Sequence, residues 1–196
     1  MKFTKILGMA AVAALALMAF ASTASATTLE IGGSPTLNSV TIESTIKSGT
    51  SALLTDTAGF FANTCTSSTV NGATTATAKS GSRVSGPISS LTFSSCTEEP
   101  VVVHNAGTLT VEHIAGTTNG TVRSIGAFVT SPSPFGLLEC RTAEGEGTDI
   151  GTLTGVASTT EHATMDINAG LNCGAITAKW KGTYTVTSPT GLGVTS

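Results

Sequence analysis

Three histidines, at positions 104, 113 and 162, are the side chains of this sequence best suited to proton transfer. His162 is the strongest candidate for a general base, because it follows the polar residues 158–161 and has Asp149 and Asp166 near it in sequence. Nucleophilic hydrolysis also requires an activated serine, and the chain contains no G-x-S-x-G elbow. A solvated loop histidine is therefore favoured. A hydrolase that uses His162 stays an alternative, and no catalytic residue is assigned.

His104 and His113 would form a metal-binding pair if they lay close together. The sequence predicts a hairpin with strands at 101–104 and 108–114 and a turn at 105–107. In that register the two histidines are roughly 17 Å apart at the rise of a β-strand. They are therefore not expected to share a metal ion.

One acidic cluster lies in and beside the glycine-rich stretch 142–149, and it consists of Glu139, Glu144, Glu146 and Asp149. Carboxylate oxygens on a flexible loop are ligands that calcium accepts. The spacing matches neither an EF-hand nor an RTX repeat, so a solvated acidic loop is predicted, without a metal or a cofactor. Calcium binding by Glu144, Glu146 and Asp149 remains the alternative.

Four cysteines, at positions 65, 96, 140 and 173, are the other reactive side chains. They lack the C-x-x-C spacing of zinc sites, and in an exported chain they are expected to be oxidised. Four cysteines allow three pairings. The similar separations of 31 and 33 residues favour Cys65 with Cys96 and Cys140 with Cys173. Each bridge would stabilise the fold by roughly 3–4 kcal/mol through loop closure.

The N-terminus has the pattern of a signal peptide. Lys2 and Lys5 precede an apolar run at 6–20, and Ala24-Ser25-Ala26 supplies the small residues of a cleavage site. Cleavage after Ala26 predicts a secreted, extracellular protein with no membrane span in its mature part. The mature chain keeps seven of the nine basic residues and all twelve acidic ones, which argues against nucleic-acid binding.

Alternating apolar and polar residues predict strands throughout the mature chain. The clearest run places Met165, Ile167, Ala169, Leu171 and Cys173 on one face. A second run places Trp180, Tyr184 and Val186 on a shared face, which is interpreted as core and not as a platform for sugar rings; a third, with Val40 and Ile42, marks an early strand. No sustained helical pattern follows the signal peptide.

Turn dipeptides such as Asn71-Gly72 and Gly86-Pro87 separate these runs. The prediction is therefore an all-β fold: an antiparallel Greek-key or immunoglobulin-like sandwich with two intradomain disulfides, after an N-terminal signal peptide helix. The domain boundaries are 1–26 for the signal peptide, 27–62 for an N-terminal extended segment and 63–196 for the sandwich. Similar Val-Thr-Ser-Pro stretches at 129–132 and 186–189 leave open a division of the sandwich into two pseudo-repeats.

Several segments between residues 63 and 196 resemble a family of small secreted proteins of soil actinobacteria with no known function. The segments are 84–96, 107–120, 147–155, 171–174 and 180–189. The resemblance implies secretion, paired cysteines and a β-rich domain, and it implies no catalytic residue. A looser similarity in composition and strand pattern connects the chain with secreted β-proteins that assemble into surface fibres.

The leading functional hypothesis is a non-enzymatic extracellular or cell-surface protein that acts through its loops or sheet edges, with self-association or contact with the cell envelope as its interactions. One alternative is a module that binds carbohydrate or a small ligand. Another is a fibre subunit whose segment 27–62 pairs with a neighbouring copy, although an ordinary first strand is the simpler interpretation of that segment. A hydrolase is the third.

Overall fold

Fifteen β-strands make up most of the part of the chain that the structure describes. The computed structural model describes residues 26–36, 38–74, 83–134, 136–174 and 176–196, so the predicted signal peptide lies outside the described residues except for Ala26. No helix occurs in these ranges, and accordingly none that could cross a membrane. The strands are β1 (Thr28–Ile31), β2 (Ser34–Pro35), β3 (Thr41–Ile46), β4 (Ala52–Asp56), β5 (Ala62–Ala73), β6 (Arg83–Cys96), β7 (Val102–Asn105), β8 (Thr108–His113), β9 (Gly120–Ile125), β10 (Phe128–Ser133), β11 (Gly136–Arg141), β12 (Thr148–Thr154), β13 (Thr164–Cys173), β14 (Ile176–Ser188) and β15 (Leu192–Thr195).

The main sheet closes on itself as an antiparallel barrel. Its order runs β14, β13, β12, β9, β8, β6 and β5, and the ring is closed by β3 and β4. These two short strands lie end to end, and each pairs with β14 on one side and β5 on the other. The barrel therefore has eight strand positions. The predicted all-β antiparallel fold is confirmed, but a closed barrel stands where two facing sheets were expected.

Two dipeptides that were predicted as turns lie inside long strands, so the sheet continues there instead of dividing into the two layers of a sandwich. Asn71-Gly72 belongs to β5 and Gly86-Pro87 to β6, and the register between these strands shifts at Asn71 and Gly72. A Cβ atom on Gly72 would come within 2.6 Å of the Pro87 carbonyl oxygen, and one on Gly86 would collide with the Ala73 carbonyl. Glycine at these two positions lets β5 and β6 approach closely at a bend. The bend curves the sheet and does not end either strand.

Alternation along the strands fills the barrel with apolar side chains. In β13 the predicted inward residues, from Met165 to Cys173, are all buried, and the residues between them are exposed or half-buried. Tyr184 and Val186 of β14 are buried in the same core. The period of two therefore determines the inner and outer faces of the wall.

Each end of the barrel is closed by a small group of strands. At one end β1 pairs with β15 and β2, and we call these three strands the terminal sheet. At the other end β10 pairs with β7 and β11, and we call these three strands the lid sheet. Among the described residues, one ladder pair joins the lid sheet to the barrel, Arg141 with Asn172.

The segment 27–62 is part of the same fold as the rest of the chain. Its strands β3 and β4 complete the barrel, and β1 pairs with the C-terminal strand β15. The boundary drawn between residues 62 and 63 therefore does not correspond to a break in the structure. Hydrogen bonding within the chain occupies the strands that an exchanged arm would use.

The predicted hairpin at 101–114 is wrong. Strand β7 pairs with β10 in the lid sheet, whereas β8 pairs with β6 and β9 in the barrel wall. Residues 105–107 thus connect two different sheets instead of forming a tight turn. The two Val-Thr-Ser-Pro stretches likewise occupy different places, one in lid strand β10 and one at the end of barrel strand β14.

Candidate functional site

A cavity of about 70 Å³ lies between the barrel interior and the lid sheet. Its wall is mainly carbon and comes from five barrel strands together with the lid strands β10 and β11. We call it the lid-end cavity. Its principal apolar side chains are Leu54, Leu91, Phe93, Val129, Leu171 and Trp180.

A buried polar contact fastens the lid sheet to the barrel wall. Asn63 of β5 is 2% exposed and donates hydrogen bonds from Nδ2 to Ser131 Oγ of β10 and to the Glu98 carbonyl oxygen, each 2.9 Å long. Its Oδ1 accepts hydrogen bonds from Thr97 Oγ1 and from the Glu98 amide. The amide of Asn63 therefore uses all of its described hydrogen bonds on the lid strand β10 and on residues 97–98, and one of them fastens the lid sheet.

Both disulfides stand at this end of the barrel. The structure pairs Cys65 with Cys96 and Cys140 with Cys173, which is the pairing that the spacing favoured. Cys65 and Cys140 both line the lid-end cavity. The first bridge joins neighbouring barrel strands, and the second ties lid strand β11 to barrel strand β13.

Trp180 is one of the aromatic residues that line this cavity. Its ring lies edge-to-face with Phe93, at 6.0 Å between centroids, and with Tyr184, at 6.3 Å. Its Nε1 atom is buried and has no hydrogen-bond partner in the described part of the chain. A buried donor left without a partner costs free energy, so it is an unusual feature of a native structure.

The other polar side chains on the cavity wall have partners. Thr142 Oγ1 accepts a hydrogen bond from the Ala127 amide at 2.8 Å. Arg141 carries the only charge on the described part of the wall, and its guanidinium stacks 3.4 Å from the centre of the Phe128 ring. The Arg141 side chain is 56% exposed and pairs with Glu139 at 3.6 Å, so the charge lies at the rim.

Tyr184 lies on β14 between Trp180, which lines the lid-end cavity, and Val186, which lines a second cavity. Its hydroxyl hydrogen-bonds Ser68 Oγ of β5 at 2.9 Å. Burial raises the pKa of Tyr184 to about 12, and the hydrogen bond with Ser68 opposes that rise. The second cavity, which we call the terminal-end cavity, has a volume of about 80 Å³ and is lined in part by Leu29 and Leu192 of the terminal sheet.

None of the three histidines meets a second catalytic group among the described residues. His162 is exposed, and its Nδ1 hydrogen-bonds the Val186 carbonyl oxygen at 2.7 Å. His104 stacks on Phe128 at 4.5 Å between centroids, and its Nε2 contacts Thr130 Oγ1. His113 Nε2 contacts the Thr117 carbonyl oxygen. The two residues of the suspected metal pair therefore have separate surroundings.

The acidic loop is divided among different partners. Arg83 binds Glu146 through Nη1 and Glu112 through Nε, each at 2.9 Å. The hydrogen bond from Arg83 lowers the pKa of Glu146. The pKa of Arg83 is raised, first by its hydrogen bond with Glu112 and then by that with Glu146. Among the described residues, no three metal-ligating side chains gather in one place. Glu146 thus forms an ion pair with Arg83, and it does not gather with Glu144 and Asp149 around a common point.

Sequence reasoning assigned Trp180 to the core but did not find the cavity. The alternation in β14 places this tryptophan inside, and nothing in that pattern shows that its Nε1 lacks a partner. The contact of Asn63 with Ser131 joins residues 68 positions apart. No local signal predicts such a contact.

The fold and the cavity together define a disulfide-bonded, all-β barrel with an apolar cavity at each end. No protein-family model matches the chain, and no curated protein or solved structure matches it. The similarity to actinobacterial secreted proteins therefore stays a prediction.

Proposed function

We propose that this chain is a secreted, non-enzymatic binding protein that holds a small, mainly apolar molecule in the lid-end cavity. The observation that carries the proposal is the carbon-lined cavity of about 70 Å³ that lies between the barrel and its lid. Barrels of eight strands are just wide enough to hold one small ligand. Concave apolar sites with a few polar groups are typical of small-molecule binding.

Export is part of the proposal. The signal-peptide pattern at residues 1–26 and the two disulfides both favour an oxidising, extracellular location. The lack of a second catalytic group beside any described histidine favours binding over hydrolysis.

Action through loops or sheet edges has weaker support. Among the described residues, the large exposed apolar side chains are Phe60, Val102, Ile114 and Leu137, and they lie on four separate segments of the chain. Single exposed apolar residues are normal on protein surfaces. A fibre subunit built by strand exchange is less favoured still, since the segment 27–62 pairs within its own chain.

Native mass spectrometry of the secreted protein, with both disulfides intact, tests the proposal. We expect a retained small molecule, or saturable binding of short ketones and alkenes followed by the fluorescence of Trp180, which is the single tryptophan of the sequence. A chain that carries no adduct and shows no saturable response to any of these probes would rule the proposal out.

A matched pair of variants locates the binding. Ala52→Leu adds three carbons to the lid-end cavity, and Ala73→Leu adds the same three to the terminal-end cavity. We expect the first variant to lose binding and the second to keep it. Ala127→Val narrows the lid-end cavity by a smaller step, and it replaces Ala52→Leu if thermal melting shows that variant to be unfolded. Binding that is lost only in Ala73→Leu would move the site to the other end.

A further inference from the structure

We infer that the terminal-end cavity is a second binding site, and that it takes a short hydrocarbon group of about three or four carbons without a polar atom. This site is separate from the lid-end cavity, so the inference goes beyond the proposed function and does not depend on it. Three observations carry it: the position of the cavity inside the barrel, the small residues that make room for it and the engagement of its polar side chains.

The terminal-end cavity lies in the interior of the barrel. Each of the eight strand positions contributes to its wall, from β3 with Ile42 round to β14 with Val186. Leu29 of β1 and Leu192 of β15 add the terminal sheet to the same wall. The interior of an eight-stranded barrel is just wide enough for packed side chains or for one small ligand. The cavity therefore lies where barrels of this size hold a ligand.

Residues with little or no side chain on two neighbouring strands leave this space unfilled. Gly72 and Ala73 of β5 and Gly86 of β6 lie on the wall at the bend where these strands shift register. Much of the remaining wall consists of branched apolar side chains, such as Val84 and Leu153. Strand irregularities of this kind are common beside functional sites and at the rims of barrels. An empty apolar space costs stability because its lining atoms lack contacts on one side, and a hydrocarbon that fills it restores those contacts.

The polar side chains of the wall are already engaged. Ser44 Oγ donates a hydrogen bond to the Val70 carbonyl oxygen at 3.1 Å, and Thr74 Oγ1 accepts one from the Val40 amide at 3.0 Å. The described wall has no charged residue, and none of its side chains holds a buried polar atom without a partner. A polar ligand would exchange its hydration for a wall that offers little to hydrogen-bond with, whereas a hydrocarbon loses no hydrogen bond on entry. The ligand class is therefore a hydrocarbon.

The volume of the cavity limits the size of the ligand. A cavity of about 80 Å³ is roughly half of the ~150 Å³ apolar cavity that accommodates benzene. Since benzene has six carbons, a group of about three or four carbons fits. Such a group has two sources, a free short hydrocarbon and the end of a longer chain. Their chemistry is the same, and probes of different length distinguish them.

Isobutene and acetone test the inference, because they have nearly the same shape and differ in a methylene group against a carbonyl oxygen. Met165 lines the cavity and is the only methionine of the sequence after residue 26, so its ¹³C-labelled methyl group gives a single resonance in the mature protein. This resonance should shift with isobutene until the site is saturated. Acetone should bind about tenfold more weakly, because its carbonyl oxygen loses hydration without gaining a partner.

A matched pair of variants locates the bound isobutene. Ala73→Leu adds three carbons to the terminal-end cavity and should abolish the shift of the Met165 resonance. Ala52→Leu adds the same three carbons to the lid-end cavity and should leave the shift unchanged. If thermal melting shows Ala73→Leu to be unfolded, Val70→Ile takes its place, and it should weaken isobutene binding several-fold.

Hexane, which is too long for the cavity, identifies the source of the hydrocarbon group. A saturable shift with isobutene alone indicates a free short molecule, and a shift with both compounds indicates the end of a chain; either result supports the inference. The inference is overturned by a folded wild type without a saturable shift, by equal affinity for acetone, or by an undiminished shift in folded Ala73→Leu. The proposed function is tested by Trp180 fluorescence at the lid end, so its failure is a separate observation.

Discussion

The two ends of the barrel enclose cavities of similar size by different means. At the lid end the closing strands share one backbone pair with the barrel, and the disulfide Cys140–Cys173 and the hydrogen bond of Asn63 with Ser131 supply the remaining attachments. At the terminal end, backbone hydrogen bonds attach β15 to loops of the barrel, from the Val156 amide to the Leu192 carbonyl oxygen and from the Val194 amide to the Thr118 carbonyl oxygen, and no cysteine lines the described wall of the cavity. The lid end is thus closed mainly by side chains and the terminal end by backbone.

The two ends also differ in chemistry. The lid-end wall includes the aromatic residues Phe93 and Trp180 and both disulfides, whereas the described terminal-end wall is aliphatic apart from Met165, Pro87, hydroxyls and backbone. Aliphatic packing is adequate for stability alone. Aromatic rings and disulfide bridges therefore distinguish the lid end from the terminal end.

Removing the lid bridge should have the largest effect. We expect Cys140→Ser with Cys173→Ser to lower the free energy of unfolding by roughly 3–4 kcal/mol, measured by urea denaturation, because a closed loop is released. Since one backbone pair then remains between β11 and β13, Trp180 fluorescence should also become more accessible to acrylamide in the folded state.

The second bridge is the control for the first. Cys65→Ser with Cys96→Ser opens a loop of nearly the same length, 31 residues against 33, so the loss of stability should be similar. The ladder between β5 and β6 persists without that bridge, so acrylamide quenching should change little. Equal quenching in both double variants would show that the lid is not held in place by its disulfide.

At the terminal end, Leu192→Ala should cost about 3 kcal/mol in the same unfolding assay, because the residue is 1% exposed and its loss enlarges a cavity. The emission maximum of native Trp180 should stay the same, since that residue lies at the other end. Leu137→Ala, on a side chain that is 70% exposed, is the control and should cost less than about 0.5 kcal/mol. Comparable losses at the two leucines would contradict the assignment of Leu192 to the core.

Between the two ends, Tyr184 should make stability depend on alkaline pH. Its pKa is raised to about 12, from 10.0, so the folded state retains a proton that the unfolded chain loses. The stabilisation is complete below pH 10 and declines as the pH rises towards 12. At pH 11 the loss is about 1.4 kcal/mol.

Tyr184 is the single tyrosine of the sequence, so its phenolate absorbance reports this titration directly. Tyr184→Phe should remove the corresponding part of the alkaline decline in unfolding free energy, leaving the contribution of the lysines. An absorbance midpoint near 10 in the folded protein would show that the hydroxyl is not buried as described.

The smallest effect is expected on the outer surface, away from both cavities. Arg83 lowers the pKa of Glu146, so the stabilisation from this pair is present above the usual carboxyl pKa and is lost as the pH falls. Glu146→Gln should change the melting temperature only slightly at neutral pH, and added salt should reduce the difference. A large change that salt does not alter would indicate a different role for this loop.

Local sequence patterns predicted the strands better than their arrangement. The alternation in β13 and β14 gave the correct inner face, and the cysteine spacing favoured the pairs found. The dipeptides Asn71-Gly72 and Gly86-Pro87 were wrongly predicted as turns, because glycine is equally suited to a turn and to a bend inside a strand. The pairing of β7 with β10 could not be predicted, because the adjacent β8 offered an equally good local hairpin.

The sequence by itself determined that this chain is built of strands, that its four cysteines suit two bridges and that Trp180 belongs inside, because period-two alternation and spacing are local properties. Only the tertiary structure decided the closure of the barrel by β3 and β4, the position of the lid and the lack of a partner for Trp180 Nε1. Each of these depends on which distant segments come into contact, as in the pairing of Asn63 with Ser131. Packing over the whole chain determines which segments come into contact, so no short stretch of the sequence predicts these contacts.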